Sequence, residues 1–219
     1  MVFCSDVDLL YWEPDVLKEA ALASQTLVNG TGDVAGTVFT ASTGASFVDQ
    51  KVEAGQVIVL TGAVAGCFAI TAVSDATNLE ISVLYDELFP ESGDAPPGVG
   101  VGTASGLGFV IRSFWAQRKV VSDLLMQAVG LVPGTAEEAS DVILNPRALK
   151  RACTLGTLLM IYSAMAAVAS EPATFSLRAD LYERLYRRAL LAAQVDLDLN
   201  GDGLVDSRRS PGLVRMVRA

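Results

Sequence analysis

The chain contains no histidine in its 219 residues. That removes the commonest general base and metal ligand, and with it any Ser-His-Asp or Cys-His mechanism. Cysteine is scarce: Cys4, Cys67 and Cys153 are odd in number, far apart and without CxxC spacing. The pattern predicts neither disulfides nor a zinc site. Basic residues are nearly missing from the first half. Up to Val110 there are 14 acidic residues against two basic ones, Lys18 and Lys51, and every arginine comes later. The net charge of −9 argues against a general nucleic-acid binder, which needs a basic surface for phosphate contacts. The opening MVFCSDVDLLYWEPD has no positive n-region and acidic residues interrupt its apolar stretch, so no signal peptide is expected.

What the chain does have is apolar residues. The hydrophobic fraction is 51% and the mean hydropathy +0.41, enough for a real core and too much for disorder. The length suits one or two domains. Ala152 to Ser170 runs 19 residues without a charge, a length that could cross a bilayer. Its Ala, Ser and Thr content and the charged NPRALKR start fit a buried bundle helix better, so no membrane span is expected.

Along the chain two styles alternate. Residues 6–28 read as helical: Pro14 suits a first turn, and Val16, Leu17, Ala20, Ala21 and Leu22 follow at helical spacing until Asn29-Gly30 stops them. From Thr37 to Tyr85 β-branched residues, recurrent glycines and alternation take over. Short strands are expected at 36–40, 56–61, 67–73 and 79–84, with Phe47-Val48 as another apolar piece. Such spacing suggests a small antiparallel barrel. Residues 91–108 are rich in Pro and Gly and read as a flexible return linker. Helices resume at Phe109, again at Asn145-Pro146, and last from about Ser176 to Val195. In the last, Asp180 and Glu183 stand four residues before Arg184 and Arg187. The expected fold is α+β: a helical bundle of about four helices (residues 1–29 and 109–195) with a β module (30–90) inserted after the first helix. An acidic loop and a basic tail (196–219) end it.

The sharpest chemical motif is Asp196-Leu-Asp-Leu-Asn-Gly-Asp-Gly-Leu-Val-Asp206. Oxygen ligands at alternate positions with glycine at the bend suit a hard cation such as Ca²⁺. A register beginning at Asp196 is one fit. The preferred register begins at Asp198, with Asn200, Asp202 and Asp206 as further ligands and Gly203 at position six. Neither register places a glutamate at position twelve, so the match is to a calcium-type loop rather than a full EF-hand. The tail that follows carries Arg208, Arg209, Arg215 and Arg218 and no acid, with apolar residues between them, as a segment that docks on a partner would. Two weaker patterns read as structural. Gly98 to Gly102 and Gly106 to Gly108 precede no GK[ST] and sit in no βαβ unit. The pairs Asp86-Glu87 and Glu137-Glu138 lie in loop-like sequence and read as solvated surface. Trp12, Trp115, Tyr162, Tyr182 and Tyr186 lie at helical spacing and suit core or interface packing.

Three stretches carry a resemblance: Asn145-Pro-Arg-Ala-Leu-Lys-Arg-Ala-Cys-Thr-Leu-Gly-Thr-Leu158, Leu181-Tyr-Glu-Arg-Leu-Tyr-Arg-Arg-Ala-Leu190 passing into the acidic loop, and Asp8-Leu-Leu-Tyr-Trp-Glu-Pro-Asp15. Together they resemble the head-to-tail adaptor (connector, or head-completion) proteins of tailed bacteriophages and related gene-transfer particles. The β piece, from Phe39 to Val57, looks like small β modules of phage particle proteins. The resemblance implies a structural virion protein and no enzyme. It implies a homo-oligomeric ring, typically of about twelve subunits, in the virion neck and assembled in the host cytoplasm. Its partners would be the portal protein, which the C-terminal tail reaches, and a downstream neck or tail-completion protein. DNA would pass through the ring without sequence-specific binding, which an acidic chain suits. Two alternatives belong to other classes: a secreted or surface Ca²⁺-binding module with a β-barrel ligand domain, and a membrane-associated protein anchored by 152–170.

Overall fold

The computed structural model describes residues 1–20, 23–43, 46–84, 98–133, 142–169 and 172–212. The chain divides into two compact units: Asp6–Phe114, and Trp115–Ala219 together with Met1–Ser5.

The first unit is a β-barrel. Its strands are β1 (Thr26–Ala35), β2 (Val38–Thr43), β3 (Val57–Thr61), β4 (Gly66–Val73), β5 (Asn78–Ser82) and β6 (Thr103–Arg112). They close in the order β1-β2-β5-β4-β3-β6, every pairing antiparallel. Closure leaves no strand edge open. The interior holds Val28, Val34, Phe39, Ile58, Leu60, Ile70, Leu79, Ile81, Leu107, Phe109 and Ile111, with Phe47 and Val52 folded in from the β2–β3 connection. Phe109 packs edge-on against both Phe39 and Phe47, with centroids 5.0 Å and 5.9 Å away. These are the offset geometries that aromatic quadrupoles favour.

Two short helices, α1 (Asp6–Leu10) and α2 (Val16–Glu19), and a 3₁₀ turn (Ala23–Gln25) belong to this unit. All five residues of α1 are buried. The Asp6 carboxylate accepts hydrogen bonds from the Ser113 hydroxyl at 2.7 Å and the Phe114 N–H at 2.9 Å. These charge-assisted bonds anchor the helix where β6 ends. Arg112 donates to the Leu17 carbonyl at 2.8 Å, holding α2 by the same strand.

The second unit is built on α3 (Trp115–Ala128), α4 (Arg147–Val168) and α5 (Pro172–Ala192), with a two-stranded sheet of β7 (Val195–Leu197) and β8 (Ser207–Arg209). α4 packs against both α3 and α5. It is the one described helix long and apolar enough to cross a membrane, and eleven of its residues are buried within the fold. Tyr162, fully buried, stacks on Tyr182 at 5.6 Å and on Phe175 at 6.4 Å, joining α4 to α5 through aromatic faces. Of the tyrosines expected in packing roles, Tyr162 and Tyr182 are in the core and Tyr186 is half-buried, whereas Trp12 and Trp115 are exposed.

The expected architecture, about four helices as the main body with a small β insert after the first, is corrected. The molecule is a mixed α+β chain, with a closed six-stranded barrel and five helices among the described residues. Residues 6–28 are not one helix. α1 stops at Leu10, Pro14 interrupts the backbone donors, α2 has only four residues, and β1 has begun by Thr26. Ala21 and Leu22, counted on the apolar helical face, lie outside the described residues. Asn29-Gly30, expected to stop a helix, lies inside a strand. A side chain at Gly30 would strike the Thr43 carbonyl oxygen, and one at Gly32 would come within 2.5 Å of the Phe39 ring. These glycines let neighbouring backbone and core approach closely. The register of β1 against β2 shifts between Thr31 and Gly32, a bulge of the kind that curves a barrel wall.

The Pro/Gly segment 91–108 differs in the same way. Residues 91–97 lie outside the described part, but from Thr103 the chain is β6, paired with both β1 and β3. A Cβ at Gly108 would stand 2.6 Å from the Thr61 hydroxyl. Phe109 and Ile111, expected on a helix, are barrel core, and α3 starts only at Trp115. The helices expected from 145 and 176 are present, the latter beginning earlier, at Pro172.

Candidate functional site

The acidic loop joins β7 to β8. The strands pair Val195 with Arg209, Asp196 with Arg208 and Leu197 with Ser207. β7 also bridges to Ile143. Val195 and Leu197 are fully buried, which is why the chain turns back to strand alternation as soon as α5 ends. Asn145 holds this strand from the other side. Its side-chain oxygen accepts the Asp196 N–H at 2.8 Å and its amide donates to the Gln194 carbonyl at 3.1 Å.

Within the loop the structure brings together all four predicted ligands, in the register that begins at Asp198. Asp198 accepts the N–H groups of Gly203 at 2.7 Å, Gly201 at 2.6 Å and Asn200 at 3.2 Å. Those donors, Gly203 first among them, hold its carboxyl below the usual carboxylate range. Gly203 stands at φ +81°, a left-handed turn that suits glycine. Asp206 accepts the N–H groups of Leu199 at 2.7 Å and Asn200 at 3.1 Å. The Asn200 amide reaches Asp206 at 3.2 Å and Asp202 at 3.3 Å, and Asp202 accepts the Leu204 N–H at 2.8 Å.

Position twelve of that register departs from a full calcium loop, as its sequence implies. A calcium loop places a bidentate glutamate there; here it is Arg209, whose guanidinium donates to the Val129 carbonyl at 2.7 Å. Among the described residues no group of three or more Cys, Asp or Glu is arranged to hold a metal ion. The carboxylates of 198, 202 and 206 are instead spent on backbone donors, and the loop caps itself.

The predicted docking arginines separate into two pairs. Arg208 forms an ion pair with Asp196 at 2.5 Å and Arg209 is held by Val129, so both are tied into their own unit. Arg215 and Arg218 lie outside the described residues, as do the Asp86-Glu87 and Glu137-Glu138 pairs. Glycine-rich segment 98–108 makes no anion cradle: the Gly106 N–H donates to the Asp33 carboxylate at 2.8 Å, an acidic neighbour that would repel a phosphate.

Two features of the helical unit escaped the sequence. α5 leaves Leu177, Leu181 and Leu191 exposed, at 70%, 44% and 62%, with Arg184 and Arg188 exposed at intervening positions of the same helical face. The expected ion pair of Glu183 with Arg187 is present at 2.5 Å, whereas Arg184 donates to the Asp180 backbone carbonyl rather than its carboxylate. The second feature is a buried polar cluster at the start of the unit. The Phe3 N–H donates to the Ser122 hydroxyl at 3.1 Å, Ser122 lies 3.3 Å from the Cys153 sulfur, and Arg118 donates to the Cys4 carbonyl at 2.8 Å. Helical periodicity marks the apolar face that folds inward, but nothing in it says that leucines will also remain outside.

Comparison with protein-family models, with curated proteins and with solved structures finds no match.

Proposed function

We propose that this chain is a structural subunit of a tailed-phage or gene-transfer particle. Copies of it would form a ring in the neck, between the capsid portal and the tail, through which DNA passes. The observation that carries the reading is where the resembling segments fall. Asn145 to Leu158, Leu181 to Leu190 and the acidic loop after Val195 all fold into one compact unit around α4; Asp8 to Asp15 and the β piece belong to the other. The exposed Leu177, Leu181 and Leu191 on α5 favour the same reading. Leucines aligned on the outer face of a helix suit cover by a neighbouring subunit. The closed barrel, with its own core, adds a domain to that ring-forming unit and suits contact with the next neck protein. The acidic balance of the whole chain suits a channel that must let DNA slide, since few cations mean few phosphate contacts. The Ca²⁺-module alternative is disfavoured by Arg209 at the position where the bidentate ligand is needed.

Mass measurement of the purified chain, alone and mixed with portal protein, tests the proposal. A closed ring of identical subunits in either condition supports it. A chain that stays monomeric in both refutes it.

A further inference from the structure

We propose that Cys4 and Cys153 form an oxidative cross-linking site, closing to a disulfide that ties the first residues of the chain to α4. Their separation of 149 positions hides the pairing in the sequence. In the fold their sulfurs stand 2.7 Å apart, so a shift of about 0.7 Å brings them to a disulfide bond length of about 2.05 Å. Both side chains are buried, Cys153 completely, and both belong to the same compact unit. The third cysteine, Cys67, lies on β4 in the other unit.

The surroundings activate one sulfur. Burial raises the Cys153 thiol, but hydrogen bonds with Cys4 and Ser122 and the charge of Arg118 more than offset this and carry it below its ordinary value. Cys67 is pushed the other way, to about 11, by burial first and the Asp15 charge second. Of the two, Cys153 is the more readily ionised and so the better nucleophile, and Cys67 is the bystander.

The oxidant is a peroxide. The Cys153 thiolate attacks one peroxide oxygen, giving a sulfenic acid and releasing hydroxide, which takes up the proton Cys153 had lost. The Cys4 sulfur then displaces the sulfenic hydroxyl. The S–S bond forms, and the Cys4 proton leaves with that hydroxyl as water. Two electrons pass from the sulfur pair to the peroxide, which ends as two waters. The site does not depend on the ring reading, because both cysteines come from one chain.

The test is stoichiometric hydrogen peroxide on the purified full chain, then thiol counting in denaturant and peptide mapping without reductant. The expected result is one remaining thiol of the three, a mass loss of about 2 Da, and a linked peptide joining Cys4 to Cys153. Cys67→Ser, placed in the other unit, keeps the link. Three surviving thiols, unlinked sulfinic or sulfonic forms at Cys4 and Cys153, or links through Cys67 would each overturn the proposal. The wild-type arm carries no substitution, so a folding defect cannot mask the answer.

Discussion

Gly156 in the middle of α4 poses a question of sign. Helix propensity alone predicts that Gly156→Ala stabilises the protein by about 1 kcal/mol, because glycine loses the most backbone entropy in a helix interior. Packing predicts the opposite. A Cβ at 156 would stand 2.8 Å from Val121 Cγ1 on α3 and 3.0 Å from the Tyr186 ring on α5. Neither neighbour yields cheaply: Val121 is short, β-branched and buried, and Tyr186 is a rigid ring. Overpacking against two helices at once costs about 2–3 kcal/mol, so the net effect is a loss of about 1–2 kcal/mol. With an m-value near 2 kcal/mol/M, the urea midpoint of the helical unit falls by roughly 0.5–1 M. Urea unfolding followed by far-ultraviolet circular dichroism reads this directly. A midpoint that rises, or stays put, would show that the three helices do not meet closely at Gly156 and would refute the packing described for this unit.

Three further outcomes are expected. Phe39→Ala empties the centre of the barrel, where Phe39, Phe47 and Phe109 meet, and should cost about 3–5 kcal/mol; a loss below about 1 kcal/mol in denaturant unfolding would mean that these rings are not in the core. The depressed Asp198 carboxyl contributes order to the β7–β8 loop above its unfolded value, near 3.9, and that contribution is lost as pH falls through the lower folded value. Asp198→Asn should therefore speed amide exchange at Gly203 at neutral pH and flatten its acid dependence, whereas exchange identical to wild type would sink the self-capped description. Finally, Ca²⁺ at millimolar concentration should produce no binding heat and no rise in melting temperature, since Arg209 occupies the place of the bidentate ligand; a saturable heat would show that the remaining oxygens suffice.

How much of this was legible depended on whether the signal was local. The strands at 57–61, 66–73 and 78–82 were readable because alternation of apolar and polar residues is a local consequence of the pleat. The helix at 147–168 and the turn of Asp198 through Gly203 were readable for the same reason: periodicity, and backbone donors within a few residues of a carboxylate. β1 and β6 were not readable. Their glycines mimic a stop and a linker, and only the approach of Thr43, Phe39 and Thr61 shows why side chains are missing there. The candidate ligands and the missing glutamate at position twelve were both legible in the loop, but the partner that holds Arg209 there, the Val129 carbonyl, lies 80 positions away.

By itself the sequence determined the absence of histidine chemistry, the acidic first half, the presence of an apolar long helix and the composition of the 196–206 loop. These are properties of residue type and near neighbours. Tertiary structure alone decided that the β piece is a closed barrel incorporating 26–35 and 103–112, that the N-terminal helices serve the barrel, and that Cys4 meets Cys153. Each of these depends on contacts between residues far apart in the chain, and such contacts exist only once the loops between them have closed.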